Sequence, residues 1–528
     1  MSDDKKSKTY LVGAGISSLS AAVYLIKDGN IKGENIIIFD ESNNIGGSLD
    51  AENLPSGEGY FMRGIRAFEE KAYSCLYDLM SSIPSLNVSG KTLREEFVDY
   101  NRKNKSYSKS RLFKDGQTID SRPLKLNAKD RLNLLHLLTS RESSLENREV
   151  REYFTPSFFT SNFWYEFSTV FSFQPWHSLI EFKRYTLRFI QTFPNIDDLE
   201  DMESSPYNQY EFLVLPIVDW LKKQGVTFVT NTKITDLDFV SDKNGEKVSR
   251  IYYNKSGETG EIIVDENDFV FVTLGSIVAN SSIGGMKKVP PSNEEEKNSS
   301  WTLWENISKN HPEFGKPSVF NTHIDKSKWV SFTITFRDST FFNLMEKYID
   351  EKINSFGGIN LIDSNWLISI VLFYKPYFIN QPDNVKLCWG YGLFSEEKGN
   401  FVKKKMSECN GEEILTELVC HLGFEKYLDE ILKSSVCIPC VMPYITSLFL
   451  PRKKSDRPLV VPHGSINFAF LGQYTEISND VVFTVEHSIR SAQTAVYSLL
   501  KLDKKVSPIY KGIKHTDVLY KALKTILR

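Results

Sequence analysis

The chain has little cysteine, little net charge and no long apolar run, and each shortage excludes something. Six cysteines in 528 residues are too sparse for a disulfide framework. Cys437 and Cys440 make one C-x-x-C, but no second pair or histidines stand at the spacing of a structural zinc site. They read as two buried thiols, with a redox dithiol as the alternative. The formal net charge is only −3, so no global basic field draws nucleic acid, and none is expected as a partner. No run reaches the roughly 18 apolar residues of a membrane span. The opening MSDDKKSKTY lacks the apolar stretch of a secretory signal. A cytoplasmic location is the expectation.

Aromatic residues are abundant. The 36 Phe and 24 Tyr suit a large aromatic core or an apolar ligand tunnel. The length exceeds one compact domain. The pattern Tyr10–Val12, Gly13–Ser18, Leu19–Asp28, Ile36–Asp40 reads as strand, turn, helix, strand, the opening of a dinucleotide-binding fold. Further helices are expected over 68–83, around 130–140, and over 178–192, 212–224 and 482–500. Strands are expected at 227–229, 251–253, 268–273 and 469–471. Residues 329–400 alternate apolar and polar, which predicts an antiparallel sheet. The stretch 290–300 reads as an exposed acidic loop.

The first turn is Gly13-Ala14-Gly15-Ile16-Ser17-Ser18, a G-x-G-x-x-S. The first glycine allows the tight turn and the second lets backbone approach a pyrophosphate. A small third residue, here Ser18, lets helix and strand pack closely. The phosphates would use the free N–H groups and positive end of the next helix. Asp40 and Glu41 close the second strand, where an acid can bond ribose hydroxyls. Gly46 and Gly47 follow in GGSLDA, a second close approach of backbone to cofactor.

From Gly46 the chain resembles a known family. The strings GGSLDA (46–51), GYFMRGIR (59–66), SCLYDLMSSIPSL (74–86), FFTSNFWYEFSTVFSFQPWHS (158–178), MPYITSLF (442–449) and DRPLVVPHGSINFAFLGQYTE (456–476) look like the oleate hydratase, or myosin-cross-reactive antigen, family. The resemblance implies an α/β flavoprotein. Its Rossmann-like FAD-binding domain is discontinuous, with expected pieces at 1–90, 206–290 and 441–500. A lid and substrate-binding insertion would span 91–205, a mixed α/β substrate domain 291–440, and a short C-terminal helical tail 501–528. The implied reaction is that of a hydro-lyase: water is added across a cis double bond of a long-chain unsaturated fatty acid, with no net redox. The resemblance also implies a homodimer. The basic tail reads as a solvated helix, with peripheral membrane contact as the alternative.

Proton transfer to an unactivated alkene needs an acid, and the attacking water needs a base. The resemblance gives Tyr185, in EFKRYTLRF, the acid's place, and Gln209, in YNQYE, that of a polar pocket residue. The residues expected at FAD are Gly13, Ala14, Gly15, Ser18, Asp40, Glu41, Gly47, Ser48, Arg63, Gly64, Ile65, Ser276 and Thr484. Three departures stand out. Ala67 occupies the position of the family's catalytic carboxylate, and Ile65 replaces a glycine beside the flavin. A Thr-x-Asn-x-x-x-His pattern of the family's pocket becomes Val371, Phe373 and Tyr377. Glu69 and Glu70 read as surface or structural acids. The expected function is therefore hydration of an unsaturated fatty acid. The alternative is a relative that binds FAD and fatty acid but is inactive or isomerises double bonds. A redox flavoenzyme of the amine-oxidase kind is disfavoured by the long matching strings.

Overall fold

The computed structural model describes residues 7–55, 58–104, 111–197, 202–293, 298–346 and 356–527. Residues 1–6, Arg528 and the acidic part of the expected 290–300 loop (294–297) lie outside them. The fold is α/β and Rossmann-like. Its central sheet is parallel, in the order Phe468–Leu471, Phe269–Thr273, Thr9–Val12, Ile36–Phe39, Thr227–Val229. These strands are short and rich in Val, Ile, Leu and Phe, as layers buried on both faces require. They come from widely separated parts of the chain.

A second sheet has eight strands. Its order is Ser282–Ile283, Ser435–Met442, Trp329–Phe336, Lys386–Gly392, Ile368–Phe373, Phe356–Leu361, Arg111–Lys114, Gln117–Ile119. The antiparallel sheet expected over 329–400 is present. Two strands of the 91–205 stretch extend it, because Arg111–Lys114 pairs in parallel with the edge strand Phe356–Leu361. Side chains alternate across these strands with period two. Val330, Phe332, Ile334, Ile368, Ile370, Leu372 and Cys388 fall on one face and form a separate core with Ile414, Leu415, Leu418 and Val419 of helix Gly411–His421. The other face carries Trp329, Thr333, Thr335, Ser369, Val371, Trp389 and Tyr391. On this face Thr335 Oγ1 accepts from Tyr60 N–H (3.0 Å) and Thr333 Oγ1 from Met62 N–H (3.2 Å). Those bonds lay residues 60–62 across the sheet and aim the following Arg63–Ala67 loop. Cys437 and Cys440 are three apart in one strand, so they point to opposite faces, and both thiols are free and buried.

Some elements differ from expectation. The helix expected over 68–83 is confined to Ser74–Met80, because the Glu69 carboxylate accepts from Lys71 and Ala72 N–H and turns the chain first. A three-stranded meander, Thr232–Asp242, Gly245–Lys255 and Glu258–Ile263, surrounds the short strand expected at 251–253. The helix expected over 212–224 opens with a π-helical turn, Tyr210–Val214, before Leu215–Lys223. The tail's helix Thr516–Leu527 is docked, burying Ala522 and Ile526 while Tyr520 stays exposed. Among the described residues no helix is long and apolar enough to cross a membrane.

Helix Leu179–Arg188 is held by ions. Glu181, Arg184, Tyr185 and Arg188 share one helical face. Glu181 meets Arg452 (2.7 Å) and Arg457 (2.9 Å), Arg184 meets Glu476 (2.7 Å) and Glu142 (2.8 Å), and Arg188 meets Asp480. Burial alone would raise the Glu181 carboxyl, but the guanidiniums of Arg457, Arg452 and Arg184 outweigh it and hold it at about 2. Breaking a buried pair costs about 3–5 kcal/mol, because it strands the opposite charge. Glu181→Gln should therefore lose that much at neutral pH in urea denaturation. The folded carboxyl lies below its ordinary value, so wild type should hold its full advantage above roughly pH 5. The advantage should shrink as pH falls toward 2.

Candidate active site: two cavities that share a wall

The first cavity, about 360 Å³, opens where the strand Thr9–Val12 passes into helix Ile16–Lys27. Gly13 (φ +89°) makes the turn, with room for its missing Cβ limited by Thr273 at 3.3 Å. A Cβ on Gly15 would meet nothing within 4 Å; it would project into open space. The helix starting there has no side-chain cap and no acidic residue in its first turn. Its unpaired N–H groups and positive end suit an anion. These observations fit the phosphates of a dinucleotide.

Of the expected cofactor residues, Gly13, Ala14, Gly15, Asp40, Glu41, Gly47, Ser48, Arg63 and Ser276 line this cavity. Asp40 also braces it: one carboxylate oxygen accepts from Ala14 N–H (2.7 Å), the other from Ser42 N–H (2.9 Å). Glu41 stands exposed at the rim beside Asn298 (2.8 Å). Ser18 does not open on the cavity. It is fully buried, and its hydroxyl meets Thr273 Oγ1 at 3.1 Å, packing helix on strand. Gly64, Ile65 and Thr484 line the neighbouring cavity instead.

That second cavity, about 220 Å³, lies between the polar-faced side of the eight-stranded sheet and helix Leu179–Arg188. Phe171, Phe189, Ile445, Phe483, Val371 and Trp329 give it an apolar lining. Ser48, Arg63, Arg66, Val278, Gln473 and Val485 border both cavities. Arg63 is paired with Asp50 (2.6 Å) and also reaches Cys440 Sγ (3.6 Å). Arg66 donates to the Ser48 carbonyl (3.1 Å) and has no carboxylate within ion-pair distance among the described residues. Burial lowers it to about 10, so it stays a cation at neutral pH.

Tyr185 lines the apolar cavity, and its hydroxyl oxygen accepts from Phe483 N–H (3.0 Å). Burial pushes its phenol well above the ordinary range, so at neutral pH it carries its proton. Gln209 is one layer back: its side-chain N–H groups donate to Tyr377 Oη (3.0 Å) and Ser205 Oγ (3.2 Å). Tyr377 stacks on Phe373 (4.1 Å, 20°), and both face a small side pocket beside Arg66. Ala67 lines the apolar cavity, while Glu69 bonds backbone N–H groups and Glu70 pairs with Arg94 at the surface. Among the described residues lining that cavity there is no carboxylate and no imidazole. Reading single residues missed Arg66, Tyr73, Asn360, Ser369 and Tyr391. The period-two pattern of 368–373 and 386–392 carried the signal for Ser369 and Tyr391. Tyr73 had none beyond its place before a helix.

The sequence profile of the MCRA family matches residues 6–497. The chain belongs to that family. An oleate hydratase of Streptococcus pyogenes serotype M49 (strain NZ131) is 39% identical over 509 residues, covering 94% of this chain and 85% of the relative. A linoleate hydratase of Lactiplantibacillus plantarum is 33% identical, covering 93% of each. Among solved structures, cyclohexylamine oxidase from Brevibacterium oxydans IH-35A superposes with a TM-score of 0.54 at 12% identity, covering 94% of this chain and 99% of that one. A putrescine oxidase gives 0.53 at 9%, with the same coverage. At such identities the likeness is one of fold.

Tyr185→Phe would leave the Phe483 N–H without its acceptor. An unsatisfied buried donor costs about 1–3 kcal/mol, and urea denaturation of the variant should show a loss of that size.

Proposed function

We propose that this family member holds FAD in the larger cavity and an unsaturated long-chain fatty acid in the apolar one, and adds water across a cis double bond. The observation that carries the reading is the shared wall: the open phosphate cradle at Gly15 runs into an apolar chamber with Tyr185 on its side. The identity with hydratases over nearly the whole chain supports the same substrate class. Gly13, Ala14, Gly15 and Ser276 would hold the dinucleotide's phosphates and Glu41 its ribose. Arg63 and Arg66 stand where the two cavities meet. Bound FAD would supply shape and charge at that junction, since adding water transfers no electrons overall.

The residues divide the work as follows. The apolar wall excludes bulk water and takes the acyl chain. Tyr185 gives its proton to one alkene carbon, and burial keeps that proton in place until then. Arg66 lies close enough to both cavities to steady negative charge at their boundary.

Ala67 favours a second reading. With no carboxylate or imidazole among the described residues on the apolar cavity, water activation lacks its usual base. A proton donor alone can still move a double bond by giving and retaking a proton, or the chain can bind its ligands without turnover.

Incubation with FAD, with and without reductant, and oleate in heavy water distinguishes these readings by mass detection. Hydroxy acid supports hydration; deuterium exchange or a shifted double bond without added oxygen supports the second reading. Ala67→Glu is expected to raise hydration by about 10²–10⁴-fold, the usual worth of a positioned base. Gly15→Val should reduce FAD affinity at least about tenfold in a flavin titration, leaving the thermal stability of the flavin-free protein unchanged.

A further inference from the structure

Most polar groups on the apolar cavity are already satisfied by the protein. Tyr185 has the Phe483 N–H, Tyr391 has the Thr169 carbonyl, Ser369 donates to Asn360 (2.8 Å) and Arg63 has Asp50. The ring N–H groups of Trp329 and Trp389 are unpaired but closed off inside the wall. Tyr73 differs from all of these. It is 7% exposed and lines the cavity, and its hydroxyl has no hydrogen-bond partner among the described residues. Unlike the two indole nitrogens, it is not sealed in by protein atoms. Buried hydroxyls are ordinarily bonded, and here the described residues supply no partner.

The position of Tyr73 is fixed from both sides. It stands immediately before helix Ser74–Met80, whose first turn is anchored by the Glu486 carboxylate accepting from Cys75 and Leu76 N–H (both 2.9 Å). Its ring packs edge-on against Phe68 (5.6 Å, 88°). The charged and titratable groups that act on it are Glu486, Arg188, Glu69 and Arg66. Tyr185 lines the same cavity and feels the Tyr73 phenol electrostatically. Both residues line one cavity, and no hydrogen bond joins their hydroxyls.

We propose that the Tyr73 hydroxyl binds the oxygen that the acyl ligand gains or already carries, and relays a proton from it to Tyr185. The binding step needs only an oxygenated acyl chain; the relay rests on the hydration reading. In the relay, the Tyr185 O–H bond breaks and its proton joins one alkene carbon through the π pair. The other carbon takes a lone pair of the water held by Tyr73. That water gives its proton to the Tyr73 oxygen as the Tyr73 proton passes to the Tyr185 phenolate. The product is a hydroxy acid, both phenols are restored and no electrons are exchanged with a cofactor. Such a relay supplies a base without a carboxylate at Ala67.

The test uses FAD-loaded wild type and Tyr73→Phe, with a mid-chain hydroxylated C18 acid and the unsubstituted C18 acid as calorimetric probes. Wild type should bind the hydroxy acid roughly tenfold more tightly, and Tyr73→Phe should bind both acids alike. Equal binding by wild type, or a preference that survives the substitution, overturns the oxygen contact. On oleate, Tyr73→Phe should lower kcat by about 10²-fold or more with KM unchanged; an unchanged kcat overturns the relay. A wild type that forms no hydroxy acid overturns the relay together with the hydration reading. The binding comparison then still decides the oxygen contact by itself. Because the hydroxyl has no partner among the described residues, the variant should melt with wild type and retain FAD.

Discussion

Asp480 is enclosed by Arg188, His487 and Arg490, and Arg490 in turn meets Glu486 at 2.5 Å. Glu486 anchors the helix that follows Tyr73, and Arg188 belongs to the helix that carries Tyr185. A second buried cluster, of Glu181, Arg184, Arg452, Arg457 and Glu476, joins the same helix Leu179–Arg188 to the final part of the chain. Burying ions is expensive, and an apolar replacement often does as well for stability. What an ionic web adds is position, since each guanidinium fork accepts only a narrow range of carboxylate geometries. Two of the apolar cavity's three phenols, Tyr73 and Tyr185, are placed by these ion pairs.

The opposite wall is placed by different physics. Period-two alternation sends one set of side chains into a separate core and leaves Trp389, Tyr391, Ser369 and Val371 facing the cavity. Threonines on that same face bind the backbone of residues 60–62 and so direct the Arg63–Ala67 loop to the junction of the two cavities. The two cavities and the helix that carries Tyr185 are thus supported by three independent devices: a glycine turn, a sheet face and buried ion pairs. A change at Ala67 can alter the chemistry without loosening any of them.

The glycine-turn cavity was legible because its requirements are local. Gly13, Gly15 and the acid pair Asp40 and Glu41 sit within one strand-turn-helix-strand unit, and all four line one cavity. The limits of the helix before Pro84 were not legible, because a Glu69 side chain competing for backbone N–H groups leaves no periodic trace. The apolar cavity is assembled from positions hundreds of residues apart, such as Tyr73, Tyr185, Tyr391 and Phe483. Only the resemblance brought Tyr185 forward. It also brought forward Gln209, whose bonds to Tyr377 and Ser205 keep it behind the wall. Placements made by tertiary packing alone, like that of Tyr73 on the cavity wall, leave nothing in the local pattern.

In the proposed function the two cavities act as one site, with cofactor and acyl chain side by side. Titrating FAD-loaded protein with oleate while recording the flavin absorption spectrum tests this directly. A saturable shift of the visible bands, competed away by a second long-chain fatty acid, is the predicted result. Calorimetric binding of oleate with a flavin spectrum that does not change would contradict it.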